Sequence, residues 1–412
     1  MSDADWQQRA AERITAHRRA EIAVRLTHQG RPAAGAEIAV EQVSGSMRCG
    51  TCVGRALHRD DAVGERHRAF VRQTCDVLVC ENAMKWYAIE AEAGQIDWAE
   101  ADATMAFAQA HGIALRGHCL TWSKEKFVQP WVRALAPEAL RPAVEAHVRR
   151  VVERYRGRLL AWDGNNEMLD GRWYRDRLGE DFPAWLYALA HECDPAAPVF
   201  VNEYGILDDD ERLQHYLDLI AAIQAAGGPV GGIGIQEHAC ERCAPDHVAA
   251  AADADRPERQ GRKALIPEEV WARCDRLAAT GLPLHITEVS CKTDDEQRRA
   301  RSLDLFLHTA FAHPAVEAFL IWGFDAAHHW LGRPAALMDA DGHLTPAGEI
   351  WVERTTRTWR SSCRCRADEA GIIRFNGFRG SYRLTALGDG LQADCDCRVP
   401  GAVVEAALTT AL

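Results

Sequence analysis

The sequence predicts an α/β protein, a (β/α)8 TIM barrel with a small β-sandwich formed from its N- and C-terminal flanking strands. Three observations carry this. From about Met47 to Arg360, eight short apolar runs alternate with longer segments whose apolar residues recur every three to four positions. Both flanks instead alternate apolar and polar residues with period two. Finally, 412 residues at 47% hydrophobic and 26% charged supply a large core with material left for a second, smaller one.

In chain order the apolar runs read "MRCGTCV", "CDVLVCEN", "GIALRGHCL", "LLAWDGNNE", "PVFVNEY", "GGIGIQEH", "LPLHITEV" and "AFLIWGF". Between them lie amphipathic stretches such as "WAEADATMAFAQAHG", "PEALRPAVEAHVRRVVERYRG" and "DERLQHYLDLIAAIQAAGG", each closing on the glycine that helix C-termini favour. Eight strand-helix repeats are the rhythm of a closed barrel. A doubly wound open sheet competes, but no Gly-rich phosphate loop follows the first run.

The expected division is residues 1–44 for an N-terminal helix and hairpin, 45–360 for the barrel, and 361–412 for strands that complete the sandwich. "AEIAVRLTHQGRPAAGAEIAVEQ" reads as a hairpin about a Gly-Pro turn, and "GIIRFNGFRGSYRLTALGDGLQADCDCRV" as short strands joined at Gly and Asp-Gly turns. Neither flank alone buries enough surface to stand by itself, so the two are expected to combine. The first residues, "MSDADWQQRAAERITAHRRA", form a charged amphipathic helix without the apolar stretch of a secretory leader. The expectation is therefore a cytoplasmic protein, or an extracellular one whose leader has been removed.

A net charge of -12 argues against nucleic acid, whose phosphates need a basic face. No run of about 20 apolar residues exists to span a membrane. Oligomeric state leaves no mark on the sequence. The 14 cysteines include two CxxC pairs, Cys49/Cys52 and Cys240/Cys243, and two CxC pairs, Cys363/Cys365 and Cys395/Cys397. Zinc or disulfides are possible readings of such spacing. Against them, Cys49 and Cys52 lie in a strand-like run where alternate residues face opposite ways, and buried free cysteine is a common small hydrophobe.

Polar residues cluster where the runs end: Glu81-Asn82, Arg116-Gly117-His118, Asn166-Glu167, Asn202-Glu203, Gln236-Glu237-His238 and Glu288, with Trp322 closing the last. In a barrel these positions share the C-terminal rim, where side chains reach into the mouth. Burying so many costly groups on one rim is hard to explain by packing alone. Glu167 and Glu288, after the fourth and seventh runs, face each other across such a ring. A carboxylate pair across a cleft suits glycosidic-bond cleavage, one protonating the departing oxygen while the other attacks the anomeric carbon or activates water. Trp86, Trp122, Trp322 and Trp330 follow or end rim segments, and indoles stack on sugar faces.

These stretches, in the order "CENAMKW", "RGHCLTW", "WDGNNE", "VNEYGIL", "GIGIQEH", "LPLHITEV" and "LIWGF", resemble the family-10 glycoside hydrolases, mostly endo-β-1,4-xylanases, over about residues 45 to 355. The resemblance implies a retaining enzyme acting on β-1,4-linked xylan or xylo-oligosaccharides, with no metal or cofactor. It further implies that Glu167 is the general acid/base and Glu288 the nucleophile. Asn166 would hold the sugar 2-hydroxyl, and His238 would hydrogen-bond Glu288. Gln236, His118 and Trp122 would line the cleavage subsite. Glu81, Asn82 and Lys85 would grip the next sugar, walled by Trp322 and Trp330.

Three departures bear on substrate grip. The family usually has a small residue where this chain has Glu237, an Asp where it has Ser290, and Trp-His-Ser-Gln where it reads Trp122-Ser123-Lys124-Glu125. If Glu237 faced inward it would add a third carboxylate. Three other readings stay open at this point: a related β-1,4-glycanase acting on glucan or mixed linkages, a catalytically silent carbohydrate-binding protein, and a zinc or redox protein built on the CxxC pairs.

Overall fold

A computed structural model of the chain describes residues 3–243, 264–399 and 401–410. All eight apolar runs are strands of one parallel sheet: Arg48–Val53, Val77–Cys80, Ala114–Arg116 continued by Thr121–Trp122, Trp162–Asn166, Val199–Tyr204, Val230–Glu237, Leu284–Val289 and Val316–Ile321. The first strand pairs with the second and the eighth. The third closes the ring in two pieces, Ala114–Arg116 against the second strand and Thr121–Trp122 against the fourth, with a Gly117–Trp162 bridge between them. The result is the expected (β/α)8 barrel, and the strands are buried along almost their whole length, as parallel strands under helices must be.

Local chemistry sets where the helices begin and end. Asp61, Asp209 and Asp295 cap the helices Ala62–Thr74, Asp210–Ala225 and Glu296–Ala312 by accepting first-turn N–H groups. Gly112 and Gly227, at positive φ of 65° and 87°, follow the ends of Ala99–Ala110 and Asp210–Ala225.

The flanks form two sheets that share an apolar core of Ile22, Val24, Leu26, Ile38, Val40, Ile373, Tyr382 and Leu384. One sheet orders Ile372–Phe378, Arg19–His28 and Val403–Ala407. The other orders Ser362–Arg366, Glu37–Gly45, Gly380–Ala386, Leu391–Asp396 and Thr409–Thr410. The segment expected to be one hairpin keeps that form only at its tip, where Thr27–His28 pair with Arg31–Pro32; beyond it Arg19–His28 and Glu37–Gly45 each sit centrally in a different sheet, with C-terminal strands on both sides. Period-two alternation fixed which side chains turn inward, but pairing partners from the far end of the chain chose the sheet. The N-terminal helix Asp3–Arg18 packs on the barrel rather than on the sandwich, through Trp6, Ala10 and Ile14.

The sandwich meets the barrel at the N-terminal ends of its strands. Ser46 N, just before the first strand, donates to Arg379 O at 2.8 Å, and Arg360 binds Asp76, just before the second, at 2.6 Å. The C-terminal rim is thus left open at the opposite end.

The thiols follow the strand geometry. Cys49 packs in the main core and Cys52 in the smaller cluster with Val79, Leu320 and Trp322, on opposite faces of their strand. Cys49 and Cys52 are free thiols, as are the CxC pairs Cys363/Cys365 and Cys395/Cys397. Among the described residues no helix is long and apolar enough to cross a membrane.

Candidate active site

A cleft of about 650 Å³ opens on the C-terminal rim. Glu81, Asn82, Lys85, His118, Trp122, Glu167, Gln236, His238, Glu288, Trp322 and Trp330 line it. Asn166 lies just beneath, buried at the end of the fourth strand. Trp86 does not take part: it is buried, stacked on His147 at 4.3 Å.

Glu167 sits one residue past the fourth strand in the left-handed region, at φ 57°, a conformation uncommon for a side-chain-bearing residue. Its backbone is held there by N–H donation to Asn202 O at 3.0 Å and by Gly171 N–H donating to its carbonyl at 2.9 Å. Its Oε2 accepts from Trp122 Nε1 at 3.1 Å and pairs with Lys124 Nζ at 2.7 Å.

Glu288 has a different set of partners. Asn202 Nδ2 donates to its Oε1 at 3.0 Å, and His238 Nε2 lies 3.1 Å from its Oε2. The direction of the second bond follows from a relay behind it. Trp330 Nε1, which can only donate, reaches Ser290 Oγ at 3.3 Å, and Ser290 Oγ lies 3.1 Å from His238 Nδ1. Ser290 can then give its proton to Nδ1, which leaves Nε2–H of His238 to donate to Glu288. A carboxylate in place of Ser290 could only accept, and would favour imidazolium instead. Burial above all raises the Glu288 carboxyl to about 7, with Glu167 and Asp163 adding to the effect and His118 and Lys85 opposing it.

Asn202 ties the two sides together. Its Nδ2 also donates to Asn166 Oδ1 at 2.9 Å, and its Oδ1 accepts from Thr287 Oγ1 at 2.6 Å. Gly234 makes this possible, since a Cβ there would stand 2.5 Å from Asn202 Oδ1. Gln236 Nε2 adds a second donor to Asn166 Oδ1 at 3.2 Å.

Below the cleft, His118 Nδ1 reaches Asp163 Oδ2 at 2.8 Å, and Arg116 pairs with the same carboxylate. Burial would raise Asp163, but Arg116 and His118 hold its carboxyl below the ordinary range. Glu237 faces away from the cleft, as strand alternation between Gln236 and His238 requires, and is bound by Arg242 and by Ala239 N–H, each at 2.9 Å. It adds no third carboxylate.

The cleft also has residues the sequence did not single out: Tyr87, Phe127 and Tyr204 line it, and Lys126 stands beside Lys124. Phe127 stacks on Trp122 with centroids 3.4 Å apart, and Tyr87 donates to Asn82 Oδ1 at 2.8 Å. Tyr204 closes the fifth run, so its signal was the same strand-end rule. Lys124 was visible only as a departure from a motif. Away from the cleft centre, His67, Asp325 and His328 place ligand-type atoms within 4.8 Å of one another. Their mutual bonds and Ala327 N–H, 2.8 Å from Asp325 Oδ1, already account for the carboxylate.

Residues 43–353 match the family described as glycosyl hydrolase family 10. Endo-1,4-beta-xylanase 2 of Arabidopsis thaliana is 35% identical over 358 residues, 86% of this chain and 31% of the relative. Anti-sigma-I factor RsgI6 of Acetivibrio thermocellus is 31% identical over 385 residues, covering 92% and 46%. The chain thus spans between about a third and a half of the length of these relatives. Among solved structures, xylanase 10B from Thermotoga petrophila RKU-1, in complex with xylobiose, superposes with a TM-score of 0.64 at 22% identity, covering 76% of this chain and 95% of that one. That likeness is one of fold.

Proposed function

The chain belongs to glycosyl hydrolase family 10, and on that premise we propose that it is a retaining endo-β-1,4-xylanase acting on xylan or xylo-oligosaccharides. The observation that carries this reading is the unlike environment of two glutamates in one cleft. Glu288 is buried against the Asn202 amide and the His238 ring, and Glu167 stands at the rim with one oxygen toward Trp122 and Lys124.

In the first step a Glu288 oxygen bonds to the anomeric carbon as the glycosidic C–O bond breaks, and Glu167 gives its proton to the departing oxygen. In the second, Glu167 takes a proton from water, the water oxygen bonds to the same carbon, and the ester to Glu288 breaks. Donors from Asn202 and His238 support the charge on Glu288 before attack and receive it back on release. Glu81, Asn82 and Lys85 bind hydroxyls of the adjacent sugar, while Trp122, Trp322 and Trp330 cover its apolar faces.

Two measurements test this. Aryl xylobioside should be hydrolysed well and aryl cellobioside poorly, and proton NMR of early product should show the β-anomer first. Equal turnover of both glycosides would favour a general β-1,4-glycanase, and an α-anomer first would overturn retention. A silent sugar-binding protein has one observation in its favour, the regulatory name of the RsgI6 relative. Sugar binding without turnover would support it.

A further inference from the structure

Lysine is rare in this chain. Five occur among 48 lysines and arginines, yet Lys85, Lys124 and Lys126 all line the cleft. Lys124 differs from the other two in its partners. Its Nζ lies 2.7 Å from Glu167 Oε2 and 3.2 Å from the Tyr204 hydroxyl, and stands 4.6 Å over the Tyr204 ring. Trp122 Nε1 reaches the same Oε2 at 3.1 Å, so two donors converge on one oxygen. Among the described residues nothing donates to Oε1. With Lys124 25% and Glu167 10% exposed, the pair is screened less than a surface ion pair.

A proton cannot reside on Oε2, because an ammonium and an indole N–H both point at it and neither accepts. We infer that Lys124 is a positioning residue for Glu167: with Trp122 it fixes the carboxyl rotation so that Oε1 is the oxygen that exchanges the proton, and its charge favours the ionised form. This inference rests on the acid/base reading of Glu167. The other charged groups near that carboxyl are Glu288 across the cleft and Glu203 behind it, both acidic. Among the described residues Lys124 is the one cation within ion-pair distance. Its own ammonium is desolvated, yet Glu167 and Tyr204 hold its pKa above the ordinary value.

The two chemical steps then respond oppositely. Bond cleavage needs the protonated carboxyl, which Lys124 disfavours; release of the glycosyl ester needs the carboxylate, which Lys124 supports. Leaving groups that require no protonation are the least affected by the first.

The test compares the parent enzyme with Lys124→Met and Lys124→Arg. The alkaline limb of kcat/KM on an aryl xylobioside with a poor leaving group should move up by about one pH unit in Lys124→Met, and stay near the parent value in Lys124→Arg. A second readout needs no turnover: in protein carrying 13Cδ-glutamate, the signal assigned through Glu167→Gln should titrate at higher pH in Lys124→Met. If Lys124→Met does not fold, Lys124→Gln, a donor without charge, carries the same expectation. An unmoved limb and titration in the neutral variants, or Lys124→Arg behaving like Lys124→Met, would overturn the inference. A parent enzyme that cleaves no xyloside would instead overturn the proposed function, and the titration would still test the Lys124–Glu167 coupling.

Discussion

At the barrel mouth Asp163, Glu203, Glu237 and Glu288 are buried to within a few per cent, while the core between the flanking sheets closes over Ile22, Val24, Leu26, Val40, Ile373 and Leu384. Ion pairs of the sandwich, such as Arg383–Asp394 at 2.9 Å and Arg25–Glu405 at 2.7 Å, stay at its surface. Both regions obey the same packing rules on the same chain. Of these two regions, it is the mouth that buries carboxyls, Glu203 and Glu288, against their charge. Burial raises Glu203 to about 8 and Glu288 to about 7, so the fold works against its own charges there. The sandwich shows that the chain can close a core without such groups, and a site of use is the reason to place them in the mouth.

The sharpest way to break this contrast is Glu288→Gln. On the proposed role of Glu288 as nucleophile, turnover should fall by about 10^4-fold or more, since a neutral amide replaces the attacking carboxylate. In the sandwich, Leu384→Ala should cost about 2–5 kcal/mol in urea unfolding and leave kcat of the folded enzyme unchanged. Loss of turnover there would give the sandwich a part in the cleft.

Next in size is a stability effect of opposite sign at the mouth. A carboxyl with a raised folded-state pKa stabilises the fold below its unfolded value of 4.5, and that contribution is lost as pH rises through about 7 for Glu288. Glu288→Gln should therefore melt above the parent at pH 8, by on the order of 3 kcal/mol, and converge with it near pH 4.5. On the proposed role of Glu288, the same ionisation should set the acid limb of kcat/KM. Activity should fall as pH drops through about 7, with the apparent value belonging to the coupled glutamate pair. Ser290→Asp, which favours imidazolium at His238, should move that limb to lower pH. Smallest of all, Arg383→Ala should change stability by less than about 1 kcal/mol, as exposed pairs do.

Much of the site was legible because barrel geometry turns a one-dimensional rule, polar residues at the ends of apolar runs, into a shared location. Glu81, His118, Glu167, Gln236, His238 and Glu288 followed from that rule. Asn202 obeyed it too, yet its bridging amide could not be singled out, because the bridge depends on Gly234 letting two strands approach. Trp86 misled, since six residues past the second strand it had already turned into the core. The hairpin kept only its tip, Thr27–His28 against Arg31–Pro32, because the longer strand pairings are non-local.

By itself the sequence determined the eight strand-helix repeats, the alternation of the flanks and the two glutamates at strand ends. Each of these is a matter of period and position along one chain. Tertiary structure alone decided which flanking strands pair, that Glu237 turns toward Arg242, and that Lys124 and Trp122 converge on one oxygen of Glu167. Those depend on distances between residues far apart in sequence, which only the closed ring brings within hydrogen-bond reach.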